Sequence, residues 1–429
     1  MSKLWKKTST KLHPDVEAYT AGTDHIFDMH ILPYDIAASR VHAQGLQKAG
    51  VLTKKERMRI DATLSDILKK FRLGEITITT ADEDCHTVIE NHLVRALGPT
   101  GKKIHTGRSR NDQVAVAMRL YMKDHLHMIR EGVIDLSKIF IEKAKAHAEM
   151  PMPGYSHTQQ AMLGSVGHYF ASFAESLLDD ADYLAYTVKY IDKCPLGSAA
   201  GFGTSIQIDR EFTARALGFA SVQVNTLYCQ TSRGKFESAY MEALAQLMLT
   251  LGRFANDMVL FTSQEFDYFS VDDSLVTGSS IMPHKRNLDV LELVRGNVSV
   301  VIGNQLMVKD VTKNLISGYN RDGQLIKKPL IESTDIVVKS LEVVSLVLTR
   351  LTAKPESIIA KINPAIFTAD YANQLVMEKG IPFRDAYKEA ARVVPAPVDF
   401  EANIRSKKSL GAPGNLSLDS YRRRGTTSI

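Results

Sequence analysis

The stretch DQVAVAMRLYMKDHLHMIREGVIDLSKIFIEKAKAHA, residues 112–148, decides the fold class. Its apolar residues, beginning with Val114, Met118 and Tyr121, recur at three- and four-residue steps, which is the repeat of one helix face. No proline interrupts the pattern before Pro151. A helix of this length spans roughly 55 Å. Because so narrow an apolar stripe has to be buried against other long helices, the stretch predicts a helical bundle.

Similar helical patterns lie on both sides of this stretch. Long helices are predicted at about 163–192, 236–264, 287–310 and 327–350, and shorter ones at about 34–49, 54–71 and 82–98. Thr53 and Glu56 form a capping-box pattern at the start of one short helix. Strand signals are almost absent, with one β-branched run at residues 77–80. The sequence therefore predicts an all-α fold.

The predicted helices group into three domains. We expect an N-terminal helical domain at 1–103, a central long-helix bundle at 104–350 and a small C-terminal helical domain at 351–429, where the segments become shorter and more polar. Apolar stripes on more than one face of the long helices favour bundling between subunits.

Composition limits the class of protein. The 429 residues are 44% hydrophobic and 24% charged, which is typical of a globular protein. A net charge of +5 is small for this length and argues against nucleic-acid binding by bulk electrostatics. Cys85, Cys194 and Cys229 are too far apart for a disulfide framework or a zinc motif, which fits a reducing, cytoplasmic compartment. The most apolar run, 244–261, contains charged residues, so no membrane span is expected.

Four polar segments interrupt the predicted helices, at residues 82–90, 105–111, 155–159 and 277–287. The last of them, TGSSIMPHKRN, joins two hydroxyls to a helix-breaking proline and three basic side chains. Such a loop would suit a lid over an acidic substrate. The alternative is an ordinary surface loop before a basic helix start. Catalytic groups concentrate on loops that a rigid scaffold positions, which favours the functional interpretation.

Individual side chains in these segments have a structural and a functional interpretation. A lone histidine such as His157 is more often a structural polar residue, but it also titrates near neutral pH. Arg108 and Arg110 flank Ser109 at a helix start, where the helix dipole disfavours cations, so an anion site is favoured there. Ser279 has no G-x-S-x-G context, which argues against an acyl-enzyme hydrolase.

Cofactor and metal signals are weak. The glycine-rich run PLGSAAGFGTS at 195–205 lacks the G-x-G-x-x-G fingerprint and follows no predicted strand, so we expect no dinucleotide. The histidines are scattered without metal-ligand spacing. We therefore predict neither a metal nor a cofactor.

Taken together, the polar segments resemble the fumarase/aspartase superfamily, and more closely the argininosuccinate lyase family. Residues 278–287 match the signature GSSxMPxKxN, residues 105–114 (HTGRSRNDQV) match the family motif, and residues 153–161 (PGYSHTQQA) resemble PGYTHLQxA. The runs EDCHTVIE, CPLGSAAGFGTS, DVLELVRG, GYNRDGQ and GIPFRDA follow the family order. The similarity extends from about residue 15 to about residue 395.

This resemblance implies a lyase that cleaves argininosuccinate to arginine and fumarate by β-elimination, as in arginine biosynthesis. It implies Ser279 as the base, assisted by Lys285 and backbone N–H groups, and His157 as the acid, oriented by Glu292. A weakly acidic proton next to a carboxylate requires preorganised donors for the dianionic intermediate, each contributing on the order of 3 kcal/mol.

The resemblance also implies substrate contacts and an assembly. The family forms an all-α homotetramer whose active sites take segments from three subunits, with no nucleic-acid or membrane partner. The implied contacts are Lys285 and Asn287 for the carboxylates, Ser109, Arg110, Asn111 and Thr158 for the succinyl part, Tyr319, Gln324 and Lys327 for the argininyl end, and His86 lining the site.

A few positions depart from the family pattern. Leu288 replaces the usual proline, and Leu325 with Ile326 replaces an acidic pair, which is similar to a divergent bacterial branch and leaves the substrate contacts there open. Two alternatives follow from the same superfamily. One is a sibling lyase that acts on another succinyl adduct such as adenylosuccinate, and the other is a non-enzymatic role like that of the lens crystallins.

Overall fold

The computed structural model describes residues 13–393 and 398–426, and α-helices form most of this part of the chain. The predicted all-α class is therefore confirmed. The helices are α1 Pro14–Ala21, α2 Asp24–Lys48, α3 Lys54–Arg72, α4 Cys85–Leu97, α5 Pro99–Lys102, α6 Arg110–Ala146, α7 Val166–Ile191, α8 Arg210–Ala216, α9 Thr226–Thr231, α10 Lys235–Phe261, α11 Asp289–Thr312, α12 Lys327–Thr349, α13 Pro355–Ala360, α14 Thr368–Lys379, α15 Phe383–Ala390, α16 Phe400–Ser406 and α17 Leu418–Thr426.

Three short strand pairs complete the fold. The strands are β1 Pro151–Ser156, β2 Gln159–Ser165, β3 Lys193–Cys194, β4 Ser221–Val222, β5 Phe269–Val271 and β6 Leu351–Ala353. β1–β2 and β5–β6 are antiparallel, and β3–β4 is parallel. The predicted run at 77–80 is not a strand, because the Thr79 backbone N–H and hydroxyl both donate to Asp82, at 3.0 and 2.6 Å, and form a turn instead.

The chain divides into two compact units. The first unit contains the residues up to Ile129 together with Leu184–Ala245 and Val300–Ile336, and the second contains the remainder. Every boundary falls within one of the long helices α6, α7, α10, α11 and α12, so each of these helices contributes one part to each unit. The three-domain division stays a prediction.

The core of the first unit joins parts of α6, α10 and α12. The Tyr240 and Thr334 hydroxyls are 2.7 Å apart and buried. Arg119 is also buried, donates to the backbone carbonyl of Ile191 at 3.0 Å, and lies 4.0 Å over the Phe236 ring. These contacts give the buried Tyr240, Thr334 and Arg119 side chains polar or aromatic partners inside the core.

The second unit has an aromatic core. Phe140 of α6 contacts Phe254 of α10 edge-on at 5.1 Å, and Phe173 of α7 lies 5.4 Å from the same Phe254 ring. Phe140 belongs to the stripe from which the bundle is predicted, so the periodicity correctly identifies the buried face.

The start of α2 differs from the prediction. The sequence predicts a helix from about residue 34 after an irregular segment, but α2 begins at Asp24 and continues through Pro33. A proline inside a helix costs about 3 kcal/mol. The flanking contacts outweigh this cost, because Ile31 and Leu32 are fully buried and Asp28 accepts a hydrogen bond from the Cys85 N–H at 2.9 Å. The predicted capping box of Thr53 and Glu56 at the start of α3 is confirmed.

Candidate functional site

The first unit contains a cavity of about 400 Å³, here called the first cavity. Many of its lining residues are charged, with both signs represented. Of the predicted substrate contacts, five line this cavity: Arg110, Asn111, Tyr319, Gln324 and Lys327.

Lys327, the first residue of α12, lies in the cavity wall, and neighbouring carboxylates neutralise its charge. Its side chain is 5% exposed, and its ammonium pairs with Asp28 and, at 3.1 Å, with Asp24. Burial alone would lower the pKa of Lys327, but the two carboxylates outweigh it and raise the pKa above its usual value. The ion triad therefore holds the start of α12 against the start of α2.

Arg110, the first residue of α6, is oriented by the start of α4. Its guanidinium lies 3.0 Å from Asp84 and donates to the Thr87 hydroxyl at 2.8 Å. Asp84 also caps α4, because it accepts the Thr87 N–H at 2.8 Å. The neighbouring Glu83 has a φ of +74°, a strained conformation of the kind found at functional sites.

The segment before α12 is bound to the end of α1. Gln324 donates from its side-chain amide to the carbonyls of Thr20 and Ala21, at 3.1 and 3.3 Å. Arg321 donates to the Thr20 carbonyl at 2.7 Å and to Glu83 at 2.9 Å. These bonds fix the segment that carries Tyr319, Gln324 and Lys327.

His86 does not line the first cavity. It is buried, and its Nδ1 lies 2.8 Å from Asp35. Burial lowers the pKa of His86, but Asp35 outweighs this effect and the pKa is raised. Its predicted role beside the substrate stays a prediction.

One buried group in this region combines ligand types that metals use. Potential ligand atoms of Asp28, Cys85 and His86 lie within 4.8 Å of one another. However, Asp28 already accepts from Lys327, and His86 Nδ1 pairs with Asp35. The ammonium neutralises charge that a metal would otherwise neutralise, so these residues fit a metal poorly.

Asp112 is a buried carboxylate that the sequence analysis passed over. It accepts backbone N–H bonds from Ser109 at 2.9 Å, from Gly197 at 3.0 Å and from Ala199 at 2.9 Å. It thus joins the Ser109 turn, which precedes Arg110, to the glycine-rich segment. Burial raises the pKa of Asp112 to about 6, although the three N–H groups and Arg108 oppose the shift.

In the second unit, His157 and Thr158 form the tip of the β1–β2 hairpin. Both are exposed, and both have left-handed backbone angles, with φ of +51° and +61°. Such angles in two-residue hairpin turns favour asparagine and glycine, so this pair stores strain. The hairpin is held below its tip, where the Tyr155 and Tyr268 hydroxyls are 2.6 Å apart and Gln160 donates to the Lys361 carbonyl at 2.7 Å.

Loop 277–287 is closed at its base and exposed at its tip. The backbone groups of Thr277 and Asn287 exchange two hydrogen bonds of 2.9 Å. Inside the loop, the Ser279 Oγ accepts the backbone N–H groups of Ile281 at 3.3 Å and Met282 at 3.1 Å. These donors would stabilise negative charge on that oxygen.

A second cavity, of about 610 Å³, lies beside this loop within the second unit. Lys285, Asn287 and Glu292 line it, whereas Ser279 and His157 do not. Arg286 in the loop pairs with Asp273, and Leu288 directly after the loop is buried, so both residues have structural contacts.

Eleven of the thirteen predicted site residues therefore fall into two sets, and the other two, Ser109 and His86, lie in the first unit without lining its cavity. Arg110, Asn111, Tyr319, Gln324 and Lys327 share the first cavity of the first unit. His157, Thr158, Ser279, Lys285, Asn287 and Glu292 belong to the second unit. Within the described residues, no hydrogen bond joins the His157 ring to the Glu292 carboxylate.

Sequence reasoning missed several residues that line or brace the first cavity. Glu83 and Arg321 lie in quoted motifs, whereas Asp24 and Asp28 lie outside them. Only their three-dimensional partners distinguish these four residues from surface charges. Ser156 was also passed over, although it stands opposite the threonine of PGYTHLQxA.

Comparison with known proteins identifies the family of the chain. A family described as "Lyase" matches residues 11–303. An argininosuccinate lyase of Thermotoga neapolitana is 43% identical over 389 residues, which are 91% of this chain and 97% of that protein. One of Xanthomonas campestris pv. campestris is 40% identical over 424 residues, which are 98% of each chain. The solved structure of an EDDS lyase in complex with formate shares the fold, with a TM-score of 0.80, 22% identity, and coverage of 97% of this chain and 90% of that one.

The fold, the loops and these matches define the class as a lyase of the fumarase/aspartase superfamily. More narrowly, the chain belongs to the argininosuccinate lyase family. No helix in the described ranges is long and apolar enough to cross a membrane.

The raised pKa of Asp112 leads to a testable pH dependence. Ionising this carboxyl costs folding free energy on the order of 3 kcal/mol, because the pKa rises from 3.8 to about 6 at 1.36 kcal/mol per pKa unit. The cost grows as pH rises from the unfolded pKa and is complete above the folded pKa. We therefore expect the free energy of unfolding of wild type, relative to Asp112→Asn, to fall between about pH 4 and about pH 6.5 and to be constant above that range.

Urea unfolding of both proteins, at one protein concentration and several pH values, measures this difference. Asp179→Asn is a matched control, since that carboxylate is exposed. A wild-type-minus-variant difference that is independent of pH would contradict the assignment.

Proposed function

We propose that the protein cleaves argininosuccinate to arginine and fumarate by general acid/base β-elimination. A base removes a proton from the succinyl methylene carbon, next to a carboxylate. The electron pair forms the carbon–carbon double bond of fumarate, and the bond from the neighbouring carbon to the guanidino nitrogen breaks. An acid protonates that nitrogen, so the products are fumarate and arginine. Family membership supports this substrate, and the Ser279 environment is the observation that carries the chemistry.

Ser279 is the proposed base. A serine hydroxyl is a poor base unless its deprotonated form is stabilised. The two N–H groups of Ile281 and Met282 already point at its Oγ, and Lys285 is carried by the same loop. Closure of the loop over a dicarboxylate would exclude water and strengthen these interactions.

His157 is the proposed acid, with Glu292 as its orienting carboxylate. The strained tip of the β1–β2 hairpin supports this role, since a left-handed histidine that merely filled space would be replaced at no cost. The anchored strands below the tip hold the backbone that carries His157. A precisely held acid contributes on the order of 10²–10⁴-fold to rate.

The proposed substrate contacts come from both units of the chain. Lys285 and Asn287 would bind the carboxylates on the loop side. Ser109, Arg110, Asn111 and Thr158 would bind the succinyl part, and Tyr319, Gln324 and Lys327 the argininyl end. Asn111, Tyr319 and Lys327 line the same cavity, which supports the contacts proposed for the succinyl part and for the argininyl end.

We further propose a cytoplasmic homotetramer in which neighbouring copies complete each site. His157, Lys285 and Glu292 are exposed in the single chain, whereas elimination chemistry requires a water-excluded site. Helix α11 also exposes an apolar stripe, with Leu293, 68% exposed, and Leu306, 65% exposed. Stripes of this kind mark surfaces that another helix covers.

The catalytic assignments are tested by Ser279→Ala and His157→Asn. Each variant is expected to lose about 10²–10⁴-fold in kcat, because each removes a proton-transfer group. Both should keep the fold, since Ser279 lies in a loop and asparagine tolerates the left-handed angle at the hairpin tip. The assay follows the ultraviolet absorbance of fumarate released from argininosuccinate.

Ser280→Ala is the matched control for the loop, as its hydroxyl is exposed beside Ser279. A near-normal kcat for Ser279→Ala would remove the proposed base. If fumarate is released from adenylosuccinate and not from argininosuccinate, the protein is instead one of the sibling lyases.

The two hydroxyls beside His157 can be separated experimentally. Thr158 is the predicted succinyl contact, whereas Ser156 matches the motif threonine. Only one of the two variants, Ser156→Ala or Thr158→Ala, is expected to remove the contact. That variant should raise KM about tenfold, because the loss of one hydrogen bond costs about 1–1.5 kcal/mol. Steady-state kinetics on both variants identify the residue, and unchanged KM in both would contradict any hydroxyl contact at this hairpin.

Sharing of sites between copies is tested by mixing. Tetramers of inactive His157→Asn and inactive Arg110→Gln should regain activity after they are dissociated and reassembled together, because some sites then receive neither substitution. Subunit exchange is verified by mass spectrometry of mixed tetramers. Exchange without recovered activity would show that each site is built within one chain.

A further inference from the structure

We propose that Arg233 binds the α-carboxylate of the argininyl end of the substrate and so selects an amino acid as the leaving group. This inference rests on the proposed function and adds a specificity residue to it. Arg233 belongs to none of the motifs quoted above, and it lines the first cavity together with Tyr319, Gln324 and Lys327.

The cations of the first cavity are not equally available to a ligand. Arg110 pairs with Asp84, Arg321 with Glu83, and Lys327 with Asp24 and Asp28. In contrast, no carboxylate within the described ranges lies at ion-pair distance from Arg233.

A half-buried cation without a counter-charge is costly unless an anion reaches it. Among the cations that line the cavity in the described part of the chain, Arg233 is therefore the one whose charge is left for a ligand to balance.

Arg233 faces the proposed argininyl end. Its guanidinium carbon lies 5.0 Å over the centre of the Tyr319 ring, a cation–π contact that leaves the N–H groups at the guanidinium edge for hydrogen bonding. Tyr319 is one of the residues predicted to bind the argininyl end. A flat guanidinium stacked in this way presents two parallel N–H groups, which match the two oxygens of a carboxylate.

The chain around Arg233 is built to hold it in one place. Gly234 has a φ of +87°, and a Cβ at this position would lie 2.4 Å from the Thr312 hydroxyl oxygen, so no larger residue fits. The Gly234 N–H donates to Glu237 at 2.7 Å, and the Ser232 hydroxyl accepts from Gln223 at 2.8 Å. Arg233 thus occupies a rigid turn between α9 and α10, and a rigidly placed donor loses little entropy on binding.

The reverse reaction gives a direct test. In the reverse reaction a guanidino nitrogen of arginine adds to one alkene carbon of fumarate, and the other alkene carbon takes up a proton. Agmatine carries the same guanidino group and differs from arginine only in lacking the carboxylate. We expect wild type to prefer arginine strongly over agmatine in kcat/KM. In Arg233→Gln this preference should fall about 10- to 100-fold, through a higher KM for arginine, while the KM for fumarate stays unchanged.

Two further variants complete the design. Arg233→Lys keeps the charge but loses the two-pronged geometry, so its preference for arginine should lie between those of wild type and Arg233→Gln. Arg215→Gln, on the exposed surface of α8, is the matched control and should keep the wild-type preference. If Arg233→Gln does not fold, as judged by circular dichroism, the Arg233→Lys ratio decides the matter.

An unchanged arginine-to-agmatine ratio in the Arg233 variants would overturn the proposal. A raised KM for fumarate with an unchanged arginine-to-agmatine ratio would also overturn it, because Arg233 would then bind the succinyl end. These results differ from a failure of the proposed function, in which wild type itself would form no argininosuccinate and release no fumarate from it.

Discussion

The pairing of Lys327 with Asp24 and Asp28 is the interaction on which the first unit most depends. A buried ammonium is tolerated only when carboxylates reach it, and removing one partner of such a group typically costs 3–5 kcal/mol. This requirement brings the start of α12 to the start of α2, although the two segments lie about 300 positions apart in the sequence. Gln324 then donates to carbonyls at the end of α1, which fixes the segment that carries Tyr319 in the cavity wall. Charge compensation, more than apolar burial, therefore shapes this part of the molecule.

The architecture was largely predictable because a long helix shows a helical repeat of apolar residues in its sequence. The stripe of Val114, Met118 and Tyr121 recurs at the helical period, and periodicity depends only on which residues face the core. The start of α2 and the run at 77–80 were wrong for the same reason. In each case a distant or local side chain, Lys327 for the helix and Asp82 for the turn, outweighed the backbone preference of the segment.

The site was predictable as motifs but not as geometry. Loop 277–287 and the hairpin tip could be found from their residue types, since hydroxyls, imidazole and cations between long helices have few structural uses. Arg233 and Asp112 could not be found in this way. Asp112 acts through backbone N–H groups of a segment 85 positions away, and Arg233 stands out only because its neighbours in the cavity already have partners. In both cases the role depends on which groups the fold places next to the side chain.

The turn at His157 and Thr158 has a consequence for engineering. A hairpin of this shape folds best with asparagine followed by glycine, and His-Thr is a poor choice for the backbone. Consensus or computational stabilisation that scores each position by folding energy alone would replace this dipeptide, and with it the proposed acid His157. Under the proposed mechanism, substitutions that stabilise the backbone of this tip are therefore expected to lower turnover. A library intended to harden the enzyme should leave these two positions fixed.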